Sequence, residues 1–267
     1  MMETYQNESF VSHIEMTFIL GSKSLLNSKK WLIYILLSLA PFIFSILSSD
    51  RLFSSADGIE AFIGVTMQLQ FGFFYVFGVL LLALPFTSDE ITDHVLDLYL
   101  IRPIHKEVIF FTRYAVLVLA NTIINSFLVI FYYIYFMLID KRDVFSSSDL
   151  NVLYGVLGFF IFANILYSAL FLAIGFLGSK GFGIGVFVAI VELFFLNFLF
   201  LSDDALVPRT NLKIIANQFL GTNFPYNVKS NFITSLSNYG NALLYVFTVT
   251  AAFLVIGFFY FKYQDYN

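Results

Sequence analysis

Long uncharged apolar stretches constrain this chain more than any other feature. A bilayer core about 30 Å thick is crossed by roughly 20 apolar helical residues, and six stretches reach or approach that length without Lys, Arg, Asp or Glu. They are residues 31–49, 61–86, 114–139, 150–179, 181–201 and 241–261, of which the fifth is interrupted by Glu192. Pro41 falls in the first, where a membrane helix tolerates it. Only 12% of the 267 residues are charged, against about 25% in soluble proteins, so the chain cannot coat a soluble surface. The expected fold is an all-α integral membrane protein with six transmembrane helices.

Composition also removes whole classes of function. The formal charge of −4 leaves no basic field for a phosphate backbone, which excludes nucleic acid as a partner. With no cysteine, disulfide frameworks, thiolate catalysis and Cys-ligated metal sites are excluded too.

An even number of crossings puts both ends on one side. Residues 1–30 contain acids and no apolar core of a cleavable signal, so they read as a cytoplasmic arm, with residues 263–267 as a cytoplasmic tail. Eight Lys and Arg on that side face six on the other, a small positive-inside excess that includes Lys29 and Lys30 directly before the first span. The expected location is the plasma membrane of a prokaryotic cell. Within the arm, Phe10, Ile14, Phe18 and Leu25 recur at spacings of four and seven. That pattern gives an amphipathic helix lying on the membrane interface or, since Gly21 and the serines weaken it, a loosely ordered arm.

Residues 31–262 form the transmembrane domain, and its segment 87–113 carries the most information. Thr87 with Glu90 three residues on reads as a capping box that starts a new helix. Ile91, Val95, Leu98 and Tyr99 make one apolar stripe, while Glu90, Asp93 and Asp97 line another face. Pro103 disfavours helix at Arg102 and suits the first turn of a following helix. The expectation is a cytoplasmic helix, a kink, and re-entry into the third span.

On the far side, residues 202–239 form the longest polar stretch. Asn211 is placed to cap a helix carrying Leu212, Ile215, Ala216 and Phe219 on one face and ending at Gly221. A plain connecting loop is the alternative.

The segment around Glu90 resembles the cytoplasmic loop of type-2 ABC transporter permeases. Glu90 matches the leading acid of that family's motif, Leu96, Asp97 and Leu98 fall on its Leu-Glu-Leu part, and Arg102, Pro103, Ile104 and Lys106 match its closing run. His94 and Val95 depart from the usual Gly and Thr, and Arg113 from a common Lys. The resemblance extends to the order of parts: interface helix, six spans, a coupling segment after the second and an outer segment after the fifth. It implies a permease subunit of an exporter, without catalytic residues, that pairs with a second permease, usually its own copy. It also implies that Glu90, Asp97, Arg102, Pro103 and Lys106 couple it to two copies of a separate ATPase subunit, which binds the ATP and Mg²⁺. The chain has no Gly-x-x-x-x-Gly-Lys-[Ser/Thr] of its own to cradle phosphates.

Glu192 is the one ionisable residue well inside a span, and such residues mark functional sites by default. Its readings are a translocation path, proton coupling, or a protonated group held against Asn164 or Asn197, at a dimer seam or in the interior. Glu90, His94 and Asp97 share a helix face but read as solvated rather than as a metal site. Gly178, Gly181, Gly183 and Gly185 suggest a tight inner turn with close helix packing. Besides the permease, two other classes fit: a stand-alone secondary transporter or channel using Glu192, and a membrane anchor for an assembly.

Overall fold

The computed structural model describes residues 2–27, 29–47, 58–92, 105–140, 147–192, 208–220 and 239–263. Helices follow directly from the apolar stretches, because a backbone without water must satisfy its own hydrogen bonds. In chain order they are α1 (Met2–Asn27), α2 (Lys30–Leu47), α3 (Gly58–Ile63), a π-helical stretch (Gly64–Phe74), α4 (Tyr75–Thr92), α5 (Lys106–Ile139), α6 (Ser147–Gly175), a 3₁₀ turn (Gly178–Lys180), α7 (Gly181–Ile190), α8 (Pro208–Leu220) and α9 (Tyr239–Tyr263). There is no strand among the described residues.

Among the described residues four helices are long and apolar enough to cross a membrane: Lys30–Leu47, Lys106–Ile139, Asp149–Gly175 and Tyr239–Tyr263. A fifth crossing arises if Gly58–Gly72 and Tyr75–Leu84 count as one span bent by 46°. The bend accompanies the π-helical stretch, where the Tyr75 amide bonds the carbonyl of Gln70, five residues back. The expected fifth span is described only in its first part, as the ten-residue helix α7 and the two residues after it.

Helix α6 is the centre of the bundle. Of its spanning window 56% is buried, against 22% in α2 and in α9, so those two present most of their apolar surface outward. Aromatic packing joins one end: Phe110 of α5 stacks on Phe176, just after α6, and Phe261 of α9 lies 4.8 Å from Phe176 between ring centroids.

Three sequence expectations about element ends are corrected. Thr87 does not start a helix, because α4 runs unbroken through it to Thr92. Its hydroxyl bonds back to the carbonyls of Ala83 and Leu84, both at 3.2 Å, as a buried threonine in a continuing helix can. The following helix starts at Lys106 rather than at Pro103, since His105 is extended with ψ 133° and its carbonyl takes the first turn's bond from Val108. Asn211 is not a cap either. Helix α8 already includes Pro208, which suits a first turn, and Asn211 lies buried inside it.

Other expectations hold. The α8 stripe is present, with Leu212, Ile215 and Ala216 fully buried and Phe219 stacked on Phe162 of α6. The glycine run makes its tight turn: Gly178 has φ 63°, and a Cβ on Gly181 would lie 2.5 Å from the carbonyl oxygen of Ile174. The arm does form a helix, α1. Its buried face is Thr17, Gly21 and Leu25 against α5, while Ile14 and Phe18 stay exposed.

Candidate functional site

Two groups of residues emerge, one at an exposed end of the bundle and one deep inside. Their chemistry differs.

At the exposed end, Lys106 opens α5, and its ammonium donates to the carbonyl of Lys262 at 3.1 Å. Lysine at a helix N-terminus opposes the helix dipole, but here its charge serves the last turn of α9, whose carbonyls want donors. Glu107 lies 4.0 Å from the Lys262 ammonium, with both side chains about half exposed, a contact worth little by itself. Glu90 lies in the last turn of α4. Asp97, Arg102 and Pro103 lie outside the described residues, as do His94 and Asn197. Arg113, about two turns beyond Lys106, is buried with its guanidinium 5.9 Å from the centre of the Phe86 ring.

The interior group is a chain of polar side chains drawn from five elements and from the residue pair that follows α7. Glu192, just past α7, accepts the hydroxyl of Tyr167 on α6. The Tyr167 ring meets the Tyr75 ring edge to face at 5.6 Å. Tyr75 donates its hydroxyl to Asn164 Oδ1 at 2.7 Å. Asn125 Nδ2 of α5 lies 3.0 Å from the same oxygen, 2.7 Å from the Tyr34 hydroxyl of α2 and 2.9 Å from the Asn121 carbonyl. Gln70, from the π-helical stretch, reaches Asn125 Oδ1 at 3.5 Å. Asn121 Nδ2 donates to Ser168 at 2.9 Å, and Asn164 Nδ2 to Thr122 at 3.3 Å. The members are buried, apart from half-buried Thr122.

Local sequence explains the convergence. Asn121 and Asn125 are four apart on α5, and Asn164, Tyr167 and Ser168 are three and four apart on α6, so each set shares one helix face. Those two faces meet. The π-helical stretch then turns Gln70 inward beside them. Gln70 Oε1 and Asn121 Oδ1 accept no hydrogen bond among the described residues.

The structure gives Glu192 a partner that the sequence did not single out, while Asn197 lies outside the described residues. Tyr167 holds its carboxylate, and Asn164 belongs to the same assembly one tyrosine further on. The residues missed from sequence are Tyr34, Gln70, Tyr75, Asn121, Asn125 and Tyr167. Their signal was present: carboxamides repeated at helical spacing inside uncharged spans. Among the described residues no three His, Cys, Asp or Glu side chains cluster as metal ligands.

Comparison with protein-family models, with curated proteins and with solved structures gave no match.

Proposed function

We propose that this chain is the permease subunit of an ATP-driven exporter, a six-span protein that works as a dimer and receives force from a separate ATPase subunit. The observation that carries the reading is α5. One unbroken helix of 34 residues joins the polar connection after α4 to the opposite end of the bundle. At 1.5 Å per residue it is about 51 Å long, well beyond a hydrocarbon core of about 30 Å. A push on the connection at residues 93–105 therefore travels along a rigid rod, with no hinge to absorb it.

End contacts support six crossings. Helix α2 runs parallel to α5, since Tyr34 meets Asn125 and Tyr132 donates to the Ser38 carbonyl. Gly58 meets Asp140 at the far end of α5, whereas Thr87 packs on Gly175 at the near end. The chain turns at Gly178, continues through α7, and is next found in α8 with Phe219 beside Gly158, in the first half of α6. Tyr239 then begins α9 against Phe219, and Lys262 ends it beside Glu107. This order of end contacts is the one a six-span permease requires. Thr17 of α1 lies 3.3 Å from Thr112, and Lys262 of α9 lies beside Glu107, so both helices reach the start of α5, which we take as the cytoplasmic end.

The test is to replace Arg102 and Pro103 by alanine and measure ATPase co-purification and ATP-driven transport, with membrane insertion as the control. Loss of either activity with insertion intact is the expected result. Full docking and transport in both variants would remove the coupling role from this segment.

A second reading rests on the interior polar chain. A buried carboxylate joined to hydroxyls and carboxamides, two of whose oxygens accept nothing among the described residues, suits a secondary transporter or channel in which Glu192 carries coupling. Transport by the purified chain without nucleotide, abolished by Glu192→Gln, would favour it over the permease.

A further inference from the structure

We propose that the groove between α1, α2 and α5 is a binding site for one acyl chain of an acidic phospholipid, whose headgroup is held by Lys23, Lys29 and Lys30. The groove has a volume of about 500 Å³. Phe18 and Leu25 of α1, Trp31 and Ile35 of α2, and Ile123 and Phe127 of α5 line it. Apart from Ser22, every side chain on its wall is apolar. Its chemistry therefore accepts hydrocarbon.

Three lysines adjoin lining residues along the chain, and their charge would select the headgroup. Lys23 is exposed and stands beside the lining residue Ser22, one helical turn before Leu26, which also lines the groove. Lys29 is exposed and Lys30 half-buried, and together they directly precede Trp31. From Met16 to Ser49 the chain has these three lysines and no Asp or Glu. Each basic residue close to a bilayer surface favours acidic lipid by roughly fivefold, and the groove supplies the hydrocarbon contact that turns attraction into a site.

The turn between the helices fixes this arrangement. Lys29 has φ 53°, a left-handed conformation uncommon for a residue with a side chain. The indole nitrogen of Trp31 donates to the Leu26 carbonyl at 2.9 Å, closing the end of α1 onto the start of α2. A second groove of similar size, about 480 Å³, also touches Phe18 but has a carboxylate, Glu107, in its lining, where the first has none.

Trp31 is the sole tryptophan of the chain and lines the groove, so its fluorescence reports on this place alone. The test is quenching of Trp31 in bilayers containing a minor fraction of phospholipid with brominated acyl chains, either phosphatidylglycerol or phosphatidylcholine. The acidic lipid is expected to quench at an effective concentration at least about fivefold lower. Replacing Lys23, Lys29 and Lys30 together by glutamine is expected to make the two lipids equal, and Ala120→Phe, which fills the groove, to weaken quenching by both. Equal quenching of the unaltered chain by the two lipids would mean an ordinary lipid-facing surface. Quenching by neither would mean that protein covers the groove, and a preference that survives the lysine replacements would place the headgroup elsewhere; each of these results overturns the proposal.

Discussion

Tyr167 donates its hydroxyl to the carboxylate of Glu192, and both residues are buried within the bundle. A carboxylate in an apolar interior is tolerable only with hydrogen bonds to hold it. Tyr167→Phe removes one bond and leaves the acid in place, so it is expected to lower stability by about 1–3 kcal/mol. Glu192→Gln keeps an acceptor for the same hydroxyl without the charge, and is expected to be neutral or mildly stabilising. Thermal unfolding in detergent distinguishes the two variants. Equal loss from both would contradict the geometry.

Asn125 is the hub of the interior chain, with Tyr34, Asn164 and Gln70 all in reach. Hydrogen bonds between membrane helices average only about 0.6 kcal/mol and reach about 1.7. A double-mutant cycle on Asn125 and Asn164 is therefore expected to give a coupling near 1 kcal/mol, whereas the same cycle on Asn125 and exposed Tyr154 should give none. A coupling of zero for the first pair would show that the carboxamides do not act together.

Gly58, Gly175 and Gly181 are among the glycines that permit close approach, whereas Gly183 and Gly240 have open space beside them. A Cβ on Gly58 would lie 2.8 Å from both the Asp140 Cβ and the Phe136 carbonyl oxygen. Gly58→Ala also disturbs the bond from the Gly58 amide to Asp140 Oδ2 at 3.0 Å, so a cost of about 1–3 kcal/mol is expected. Gly175→Ala meets the Thr87 hydroxyl, and Thr87→Ala should recover most of its loss. Gly181→Ala meets backbone and has no such rescue. Gly183→Ala and Gly240→Ala, with nothing within 4 Å, should stay within about 1 kcal/mol of the original and serve as controls. Unfolding temperatures that failed to separate these groups would refute the packing at the glycines.

The outline of the fold was legible in the sequence because hydrophobic length and helical periodicity are additive signals. Leu212, Ile215 and Ala216 show this: their spacing foretold a buried face, and all three are buried in α8. Helix ends were less legible. Thr87 and Glu90 have the spacing of a capping box, yet a threonine hydroxyl can equally bond a carbonyl four residues back, and the burial of Thr87 beside Gly175 decided for continuation. The interior site was legible only at Glu192, since charge stands out against an apolar span. Tyrosine and asparagine do not stand out. Nor does a hydropathy pattern reveal that a π-helical stretch swings Gln70 toward Asn125.

Cross-linking tests the rigidity assigned to α5. Cysteines placed at Lys106 and Lys262, whose ammonium and carbonyl are 3.1 Å apart, are expected to be bridged by a short bifunctional thiol reagent, the chain having no cysteine of its own. If α5 acts as the lever, bridging should abolish the ATP-driven transport that the unbridged double-cysteine chain retains, without changing that chain's ATPase docking, as read by transport assay and co-purification. Full transport through a bridged α5 and α9 would mean that these ends need not move apart.

The most direct test of the central claim is to purify the chain from its native membranes in a mild detergent and weigh the intact complex by mass spectrometry, with ATP hydrolysis assayed on the same sample. The account expects two copies of this chain with two copies of a subunit bearing a Walker motif, and hydrolysis that Arg102→Ala uncouples or loses. A chain that purifies without such a subunit, and moves solute in vesicles on a proton gradient alone, would contradict it.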